Sequence, residues 1–310
     1  MTEKPLVSVI INCYNGEKYL REAIDSVMAQ TYENWELVFW DNQSTDSTRE
    51  IVECYNSPKI RYFYAPEHTP LGEARNKALE RVEGELVAFL DCDDIWKPAF
   101  LEMGVRFLKK NTNCGAFYSN YTYRGNNGEQ PNCEDSEEGI HDLKYIIKKY
   151  NIGMSANILD YSIIKTNNIV FNQKYSLIED LDFFIKIAMK TPFVYCSTPL
   201  MYYRRHAQSL SVINRDGFSD ELRDLLEDII KKNKKEKLLS KSDINNLRVK
   251  YLLAKMRNQI KYNDRLGMIF LVLSNILLLG RIWKKAIYLL MPSFAYYRLY
   301  SMYSKERHME

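Results

Sequence analysis

The chain has 310 residues, of which 46% are hydrophobic and 27% are charged. This composition is typical of a globular protein and excludes a disordered or fibrous one. The formal net charge of +3 is unevenly distributed: 18 basic and five acidic residues follow position 230, against 25 basic and 35 acidic residues before it. Because phosphate contacts require clustered Lys and Arg, the acidic part is not expected to bind nucleic acid.

The amino terminus and the cysteines both indicate an intracellular protein. The sequence MTEKPLVSVI leads directly into a short apolar strand and lacks the longer apolar stretch and cleavage site of a signal peptide. The six cysteines include no C-x-x-C pair, so their spacing predicts neither a zinc site nor a disulfide framework. We therefore expect reduced thiols and a cytoplasmic location.

The first 110 residues alternate apolar strands with amphipathic helices. Near-continuous apolar runs are typical of strands buried on both faces of a parallel sheet. The alternation predicts an α/β fold with a doubly wound sheet, whose ligands bind beyond the carboxyl ends of the strands. The predicted strands are 6–14, 35–41, 60–65 and 85–91, and the last helix between them is 72–82.

Residues 111–215 have a different pattern, which we interpret as an acceptor-binding half that completes a mixed sheet. A polar loop rich in turn-forming residues covers 125–139. The predicted elements are strands at 116–124, 193–197 and 200–206, a helix at 141–150 and a helix beginning near Glu179.

From about residue 216 the sequence becomes helical and basic, which predicts a second region, 216–310. Its apolar segment 268–279 is too short to span a membrane. Two interpretations stay open for this region. It forms a helical subdomain or dimer contact, or it lies on the membrane surface with Tyr and apolar residues in the interface and Lys and Arg on anionic lipid.

The segment FLDCDDIWKP, residues 89–98, carries the densest group of chemically active side chains. Asp91, Asp93 and Asp94 follow a buried strand so closely that they repel one another unless a cation or protons intervene. Oxygen ligands suit Mg²⁺ or Mn²⁺, which hold a diphosphate and neutralise the charge that builds as it leaves. The alternative is an acidic turn that caps the following helix.

Four separated segments resemble the family 2 glycosyltransferases: 7–48, 71–98, IEDLDFFIKIA at 178–188 and YYRRHAQSLS at 202–211. The resemblance runs unbroken to about residue 110 and then resumes in the same order. It implies a GT-A type, Rossmann-like mixed sheet flanked by helices, with a C-terminal helical extension. It also implies an inverting transfer of sugar from a nucleotide-sugar donor, assisted by Mn²⁺ or Mg²⁺.

The resemblance assigns the nucleotide to the first two strand ends. Tyr14 matches the position that stacks on the base, with Asn12 and Asn15 beside it, and Asp41 with Asn42 matches the contact to base or ribose. Family members commonly read DDGS where this chain reads DNQS. Because the amide of Asn42 both donates and accepts hydrogen bonds, the choice of base stays open.

The resemblance places Arg75 near the ribose or diphosphate, and pairing with Glu73 or Glu80 on its own helix is the alternative. Asp91 matches the residue that contacts the ribose. Either Asp93 or Asp94 matches the metal ligand, and the sequence does not decide between them. The segment 202–211 matches one that closes over the pyrophosphate. There we expect Arg204 on phosphate and His206 on the metal or on phosphate.

Glu179 and Asp180 match the acidic pair of the family, whose aspartate is the general base. A general base must be an ionised carboxylate within hydrogen-bond reach of the acceptor hydroxyl. We therefore expect Asp180 to be catalytic and Glu179 to contact the donor or orient its neighbour. The structural alternative is a helix N-terminus carrying acids that favour its dipole.

The predicted partners are a nucleotide-sugar donor, most readily a UDP-sugar, and a glycan or lipid-linked acceptor. Peripheral association with the cytoplasmic face of a membrane follows from the second interpretation of region 216–310. Two other functions are weighed: a nucleotidyltransferase and a non-catalytic nucleotide-sugar-binding protein. The first would need a Gly-rich basic loop after the first strand, whereas NCYNGEKY has one Gly and one Lys. The second is expected to have lost its acidic motifs.

Overall fold

The computed structural model describes residues 2–125, 128–132, 136–206, 217–261 and 271. The chain is divided into two compact units, Met1–Ile213 and Asn214–Glu310. Apart from residue 271, the apolar segment 268–279 lies outside the described residues, as do residues 207–211 of the resemblance. Within the part of the chain that is described, no helix is long and apolar enough to cross a bilayer.

The first unit begins with four parallel strands in the order β3-β2-β1-β4. β1 and β4 are rich in Val, Ile and Leu, whereas β2 and β3 carry several aromatic residues. β1 and β2 are buried almost throughout, as expected for strands covered on both faces. The strands are β1 (Val7–Cys13), β2 (Trp35–Asp41), β3 (Ile60–Tyr64) and β4 (Leu86–Phe89). The connecting helices are α1 (Leu20–Met28), α2 (Thr48–Glu53) and α3 (Leu71–Leu79).

The sheet continues as β4-β9-β6-β10-β5, with antiparallel pairs on both sides of β9 and a parallel pair between β6 and β10. Two short strands join its rim, β7 on β6 and β8 on β10. The remaining strands are β5 (Ile95–Trp96), β6 (Ala116–Gly125), β7 (Gly128–Pro131), β8 (Gly139–His141), β9 (Asn157–Asp160) and β10 (Phe193–Arg204). The remaining helices of this unit are α4 (Phe100–Lys110), α5 (Leu143–Lys148), α6 (Tyr161–Thr166) and α7 (Glu179–Ala188).

The predicted mixed sheet flanked by helices is confirmed, but one pair of predicted strands is wrong. The segments 193–197 and 200–206 form a single strand, β10, which pairs with β6 along its length. The pairing register shifts on both sides of Pro199. Because proline has no N–H to donate, the pairing is irregular there, and it resumes at Tyr202.

In the second unit, α8 (Phe218–Glu236) and α9 (Lys241–Lys261) are joined by a short turn. Lys237 has a left-handed φ of 52°, which ends α8. The side chain of Asn233 donates to Leu239 O at 2.9 Å and accepts from Leu239 N at 2.8 Å, so it closes the turn. The region is therefore helical where it is described.

Candidate active site

The carboxyl ends of the parallel strands border a cavity of about 600 Å³, a size typical of small-molecule sites. It lies where strand order reverses, which is where ligands bind in open α/β sheets. Ten of the predicted site residues line it: Asn12, Tyr14, Asn15, Asn42, Arg75, Asp91, Asp93, Glu179, Asp180 and His206. Asp41, Asp94 and Arg204 are not on its lining.

The loop after β1 is fixed to the loop after β2 by a set of short hydrogen bonds. Asn15 has a left-handed φ of 53°, donates its N–H to Ser44 Oγ at 2.9 Å and accepts from Thr45 N at 2.8 Å. A Cβ on Gly16 would come within 2.3 Å of Cys13 Sγ, so a larger residue there would force the Cys13 side chain or the loop to move. Asn15 therefore shapes the cavity wall through its contacts with the neighbouring loop.

Asn12 lies at the end of β1, and its side-chain amide is buried. Neither Nδ2 nor Oδ1 has a hydrogen-bond partner in the described structure. An unsatisfied buried amide costs about 1–3 kcal/mol. Because Asn12 lines the cavity, a polar ligand is the natural partner for this group.

Asp41, which was expected to contact the nucleotide, does not line the cavity. Its side chain is completely buried and accepts hydrogen bonds from Ser44 N at 2.7 Å and Tyr62 Oη at 2.6 Å. Both carboxylate oxygens are therefore used inside the protein, where they fix the loop after β2 to β3.

Asn42 contacts the loop that precedes α3. Its Nδ2 donates to Thr69 O at 2.7 Å, and its Oδ1 accepts from Thr69 N at 3.3 Å and Thr69 Oγ1 at 3.2 Å. The neighbouring His68 places Nδ1 2.8 Å from Asn42 O and packs its ring on Tyr14, with centroids 4.3 Å apart. Tyr14 itself is half exposed at the cavity mouth.

Arg75 is buried and forms two ion pairs across the cavity floor. Nη1 lies 2.9 Å from Glu179 Oε1, and Nη2 lies 3.0 Å from Asp91 Oδ1. The alternative pairing with Glu73 or Glu80 is therefore wrong, because the guanidinium points away from its own helix. Burial raises the pKa of Glu179 to about 7, and the positive charge of Arg75 limits that rise.

The acidic segment after β4 forms a tight turn around Ser155. Asp94 N donates to Asp91 O, and Ser155 Oγ accepts from Asp91 N at 3.0 Å while donating to Asp94 Oδ2 at 2.6 Å. Asp94 is 2% exposed and also accepts from Arg204 N at 2.9 Å. Burial raises the pKa of Asp94 well above its ordinary value. Asp94 thus holds the turn together from within the protein.

Asp93 turns toward the cavity, where its Oδ2 lies 2.8 Å from His206 Nε2. Burial raises the pKa of Asp93, the nearby Asp91 raises it further, and His206 opposes the rise. Arg204 instead donates Nε to Asp93 O and pairs with Glu22 on α1 at 3.0 Å. Its guanidinium stacks on Tyr19, so it holds the turn in place from outside the cavity.

These residues fit a divalent cation that shares its ligands with a substrate. The described residues contain no group of three or more His, Cys, Asp and Glu side chains that would enclose a metal alone. Mg²⁺ is commonly held by one or two carboxylates together with substrate phosphates, so a full protein cage is not required. Asp93 Oδ2 and His206 Nε2 meet at the cavity 2.8 Å apart, so one carboxylate oxygen and one ring nitrogen are placed where a cation could share them with substrate phosphates.

Asp180 begins α7 beside Glu179 and lines the same cavity. Its Oδ1 accepts a hydrogen bond from Leu181 N at 2.6 Å. Burial raises the pKa of Asp180, while the charge of Arg75, the Leu181 N–H and the nearby Tyr150 hydroxyl oppose that rise. Burial raises the pKa of the Tyr150 hydroxyl, and the negative charge of Asp180 raises it further. In its ionised form, a carboxylate that lines the cavity at this position is suited to accept a proton.

The sequence comparisons identify the family. The profile described as glycosyl transferase family 2 matches residues 8–168, more than half of the chain, and the chain belongs to this family. A relative named UDP-Glc:alpha-D-GlcNAc-diphosphoundecaprenol beta-1,3-glucosyltransferase WfgD, from Escherichia coli, is 33% identical over 54% of this chain. TuaG of Bacillus subtilis, named provisionally as a teichuronic acid biosynthesis glycosyltransferase, is 39% identical over 40% of it. The chain spans 66% of the length of WfgD and 50% of TuaG.

Solved structures agree on the fold. TarS 1-349 of S. aureus in complex with UDP-GlcNAc superimposes with a TM-score of 0.67 and 23% identity, covering 81% of this chain and 72% of that one. The mannosyltransferase PcManGT of Pyrobaculum calidifontis, in complex with GDP-Man and Mn²⁺, gives 0.60 at 16% identity over 95% and 86% of the two chains. The predicted GT-A architecture is thereby confirmed.

The sequence-based set lacked several residues of the site or its immediate surroundings, among them His68, Tyr150 and Ser155. His68 follows the third parallel strand, so the strand-end rule alone could have indicated it. Ser155 and Tyr150 lie in the segment between α5 and β9, far in sequence from Asp94 and Asp180, the aspartates that they adjoin. Local patterning carries no signal for such contacts.

Proposed function

We propose that this protein transfers a sugar from a nucleoside-diphosphate sugar to a glycan hydroxyl, with inversion and with help from Mn²⁺ or Mg²⁺. The observation that carries the proposal is the convergence of Asp91, Arg75, Glu179 and Asp180 on one cavity of suitable size. Family membership supports the reaction class. The ligands of TarS and PcManGT, UDP-GlcNAc and GDP-Man, support the donor class.

Binding of the donor follows from the cavity wall. Tyr14 offers a half-exposed aromatic face for the base, and the unsatisfied amide of Asn12 offers hydrogen bonds. Asp91 would contact the ribose, and its pairing with Arg75 keeps the carboxylate in position. Asp93 and His206 would hold the cation, which when bound neutralises charge on the leaving diphosphate. In this assignment Asp93, and not Asp94, is the ligand, because Asp94 is buried.

In this proposal Asp180 removes the proton from the acceptor hydroxyl. Its carboxylate accepts the proton of the acceptor hydroxyl as that oxygen attacks the anomeric carbon from the side opposite the diphosphate, so the configuration inverts. Glu179 stays in its ion pair with Arg75 and fixes the start of α7, so that Asp180 keeps its direction. The half formed by β6, β9 and β10 would receive the acceptor, and Tyr203 of β10 lines the cavity there.

The acceptor we propose is a cell-surface glycan or its lipid-linked precursor. The names of TuaG and WfgD, which refer to teichuronic acid and to a diphosphoundecaprenol acceptor, support this class. A membrane-bound acceptor agrees with the basic composition of the chain after residue 230. We therefore propose a cytoplasmic protein that associates peripherally with the membrane.

A donor panel tests this function. Purified protein is incubated with UDP-, GDP- and dTDP-sugars and Mn²⁺, and released nucleoside diphosphate is measured with and without chelator. We expect metal-dependent release from one class of donor. Absence of both binding and release across the panel, together with turnover of a nucleoside triphosphate and a sugar phosphate, would establish the nucleotidyltransferase instead.

A further inference from the structure

Two cysteines from distant parts of the sequence meet in the wall of the cavity. Cys13 ends β1, and Cys92 follows β4, the strand that pairs with β1 in parallel. The side chain of Cys13 belongs to the hydrophobic core on the face of the sheet that carries Ile11 and Leu90, and Cys92 packs against the same core. The fold therefore places both thiols on one face of two neighbouring strands.

Gly16, in the loop after β1, locates the two sulfur atoms. A Cβ added to Gly16 would lie 2.3 Å from Cys13 Sγ and 3.4 Å from Cys92 Sγ. Both sulfur atoms therefore border the same small space beside this loop. The Cys13 thiol, together with burial, raises the pKa of the Cys92 thiol well above its ordinary value. The two thiols are thus close enough to interact.

Small molecules that enter the cavity can reach this pair. Cys13 and Cys92 both line the cavity, and Cys92 is partly exposed whereas Cys13 is buried. Both are free thiols in the structure. The other cysteines that the structure describes do not line the cavity: Cys54 is exposed at the end of α2, and Cys114 and Cys196 are buried.

We propose that Cys13 and Cys92 form a redox-active dithiol, which hydrogen peroxide oxidises to a disulfide that reversibly switches off donor binding. The sulfur of Cys92 attacks one peroxide oxygen, which gives a sulfenic acid and releases one water molecule. The sulfur of Cys13 then attacks the sulfur of Cys92, and its proton leaves with the sulfenic hydroxyl as a second water molecule. The two thiols lose two electrons and two protons, and the peroxide is reduced to water.

The disulfide would move the acidic turn after β4 and leave β1 in place. Cys13 is held from its other side by the loop after β2, because Asn42 N donates to Cys13 O at 2.8 Å. An S–S bond needs Cβ atoms only about 3.8 Å apart, so Cys92 would be drawn toward β1. Its chain neighbours are Asp91 and Asp93, which we assign to the ribose and the cation. The loss of donor binding rests on the proposed function, whereas the disulfide itself does not.

The raised pKa of Cys92 determines the resting state of the pair. The thiolate is the reactive form of cysteine, so a thiol with a raised pKa is oxidised slowly. The purified protein should therefore contain Cys13 and Cys92 as thiols, in agreement with a reducing cytoplasm. Formation of the disulfide should require peroxide in excess.

Peptide mapping of the full-length protein tests the disulfide. The protein is treated with excess hydrogen peroxide, remaining thiols are blocked with N-ethylmaleimide, and a tryptic digest is analysed by mass spectrometry. The tryptic peptides that contain Cys13 and Cys92 hold no other cysteine, so their cross-linked product identifies the bond. We expect this product after oxidation and its loss with dithiothreitol. Sulfinic or sulfonic acid at Cys92 without the cross-link would overturn the proposal.

Calorimetric titration of UDP and GDP, each with Mn²⁺ and after removal of peroxide, tests the switch. Oxidation of the wild-type protein should weaken nucleotide binding at least about tenfold, as the loss of one charge-assisted contact would, and dithiothreitol should restore it. Cys13→Ala and Cys92→Ala cannot form the disulfide, so each should bind equally before and after peroxide. Cys54→Ala removes an exposed cysteine outside the cavity and should stay as sensitive as the wild-type protein.

Unchanged nucleotide binding by a wild-type protein that carries the mapped cross-link would show that the disulfide is not a switch. Equal sensitivity of the Cys92→Ala and wild-type proteins would place the effect of peroxide at another residue. If the reduced protein bound neither nucleotide, the proposed function would fail, and the peptide map would still decide whether the disulfide forms. Thermal melts show that each variant is folded, and the map of the wild-type protein depends on no variant.

Discussion

Arg75 on α3 and Glu179 on α7 form a buried ion pair, 2.9 Å from Nη1 to Oε1, although 104 positions separate them in the sequence. The other arm of the same guanidinium binds Asp91 at the end of β4. Arg75 therefore joins the strand ends that we assign to the donor to the helix that carries Asp180.

Replacing Arg75 tests this connection. Arg75→Met leaves two carboxylates without their cation, one of them deeply buried, and we expect the free energy of unfolding to fall by about 3–5 kcal/mol. Lys77→Met, on the same helix, removes a half-exposed lysine whose partner Glu80 is 3.6 Å away. It should cost less than about 1 kcal/mol. Urea denaturation measures both, and equal costs for the two variants would contradict the account.

The pKa of Glu179 gives a pH-dependent prediction. Because its folded-state pKa is raised to about 7 from 4.5, the folded protein binds this proton more tightly than the unfolded chain. Stability from this group is present at low pH and is lost as pH rises through about 4.5 to 7. Relative to Glu179→Gln, the wild-type protein should lose at most about 3 kcal/mol across that window. A difference in stability that stays constant with pH would show that Glu179 is ionised throughout.

Asp93 and Asp94 should behave differently although they are adjacent. Asp93→Asn removes the carboxylate that faces the cavity, so Mn²⁺-dependent UDP binding should be lost with little change in stability. Asp94→Asn disturbs the buried contacts with Ser155 and Arg204 N, so it should cost about 1–3 kcal/mol and leave UDP binding in place. Calorimetry and thermal melts distinguish them. The opposite result would make Asp94 the ligand.

The sequence was sufficient for the parallel strands and for most of the cavity. The run 35–41 matches β2 residue for residue, because a strand buried on both faces needs a mostly apolar run. Its one internal charge, Glu36, is paired with Arg61. The sequence did not predict the hydrogen-bond partner of Asp41, which is Tyr62 on the next strand. Nor did it predict the ion-pair partner of Arg75, which is Glu179, 104 positions away. Both contacts join residues from separate elements that only the tertiary fold brings together, and the local spacing of residues does not encode that fold. β9, only four residues long, gave no periodic signal.

The basic region after residue 230 leads to a prediction about membranes. Its 18 basic and five acidic residues should bind anionic vesicles at low salt, and high salt should weaken that binding. Truncation at about residue 230 should release the protein into the soluble fraction. Vesicle sedimentation of both forms measures this. If the full-length protein does not sediment with anionic vesicles, a packing or dimer role remains for the region.

The most direct test of the account compares transfer and donor binding in Asp180→Asn. The amide keeps the shape of the side chain and removes the proton acceptor, so transfer should fall about 10²–10⁴-fold while UDP-sugar affinity stays within about threefold. Asp182→Asn, on the same helix, removes a carboxylate paired with Lys186 at 2.5 Å and should retain transfer. Near-normal transfer by a folded Asp180→Asn protein would contradict the assignment of Asp180 as the general base.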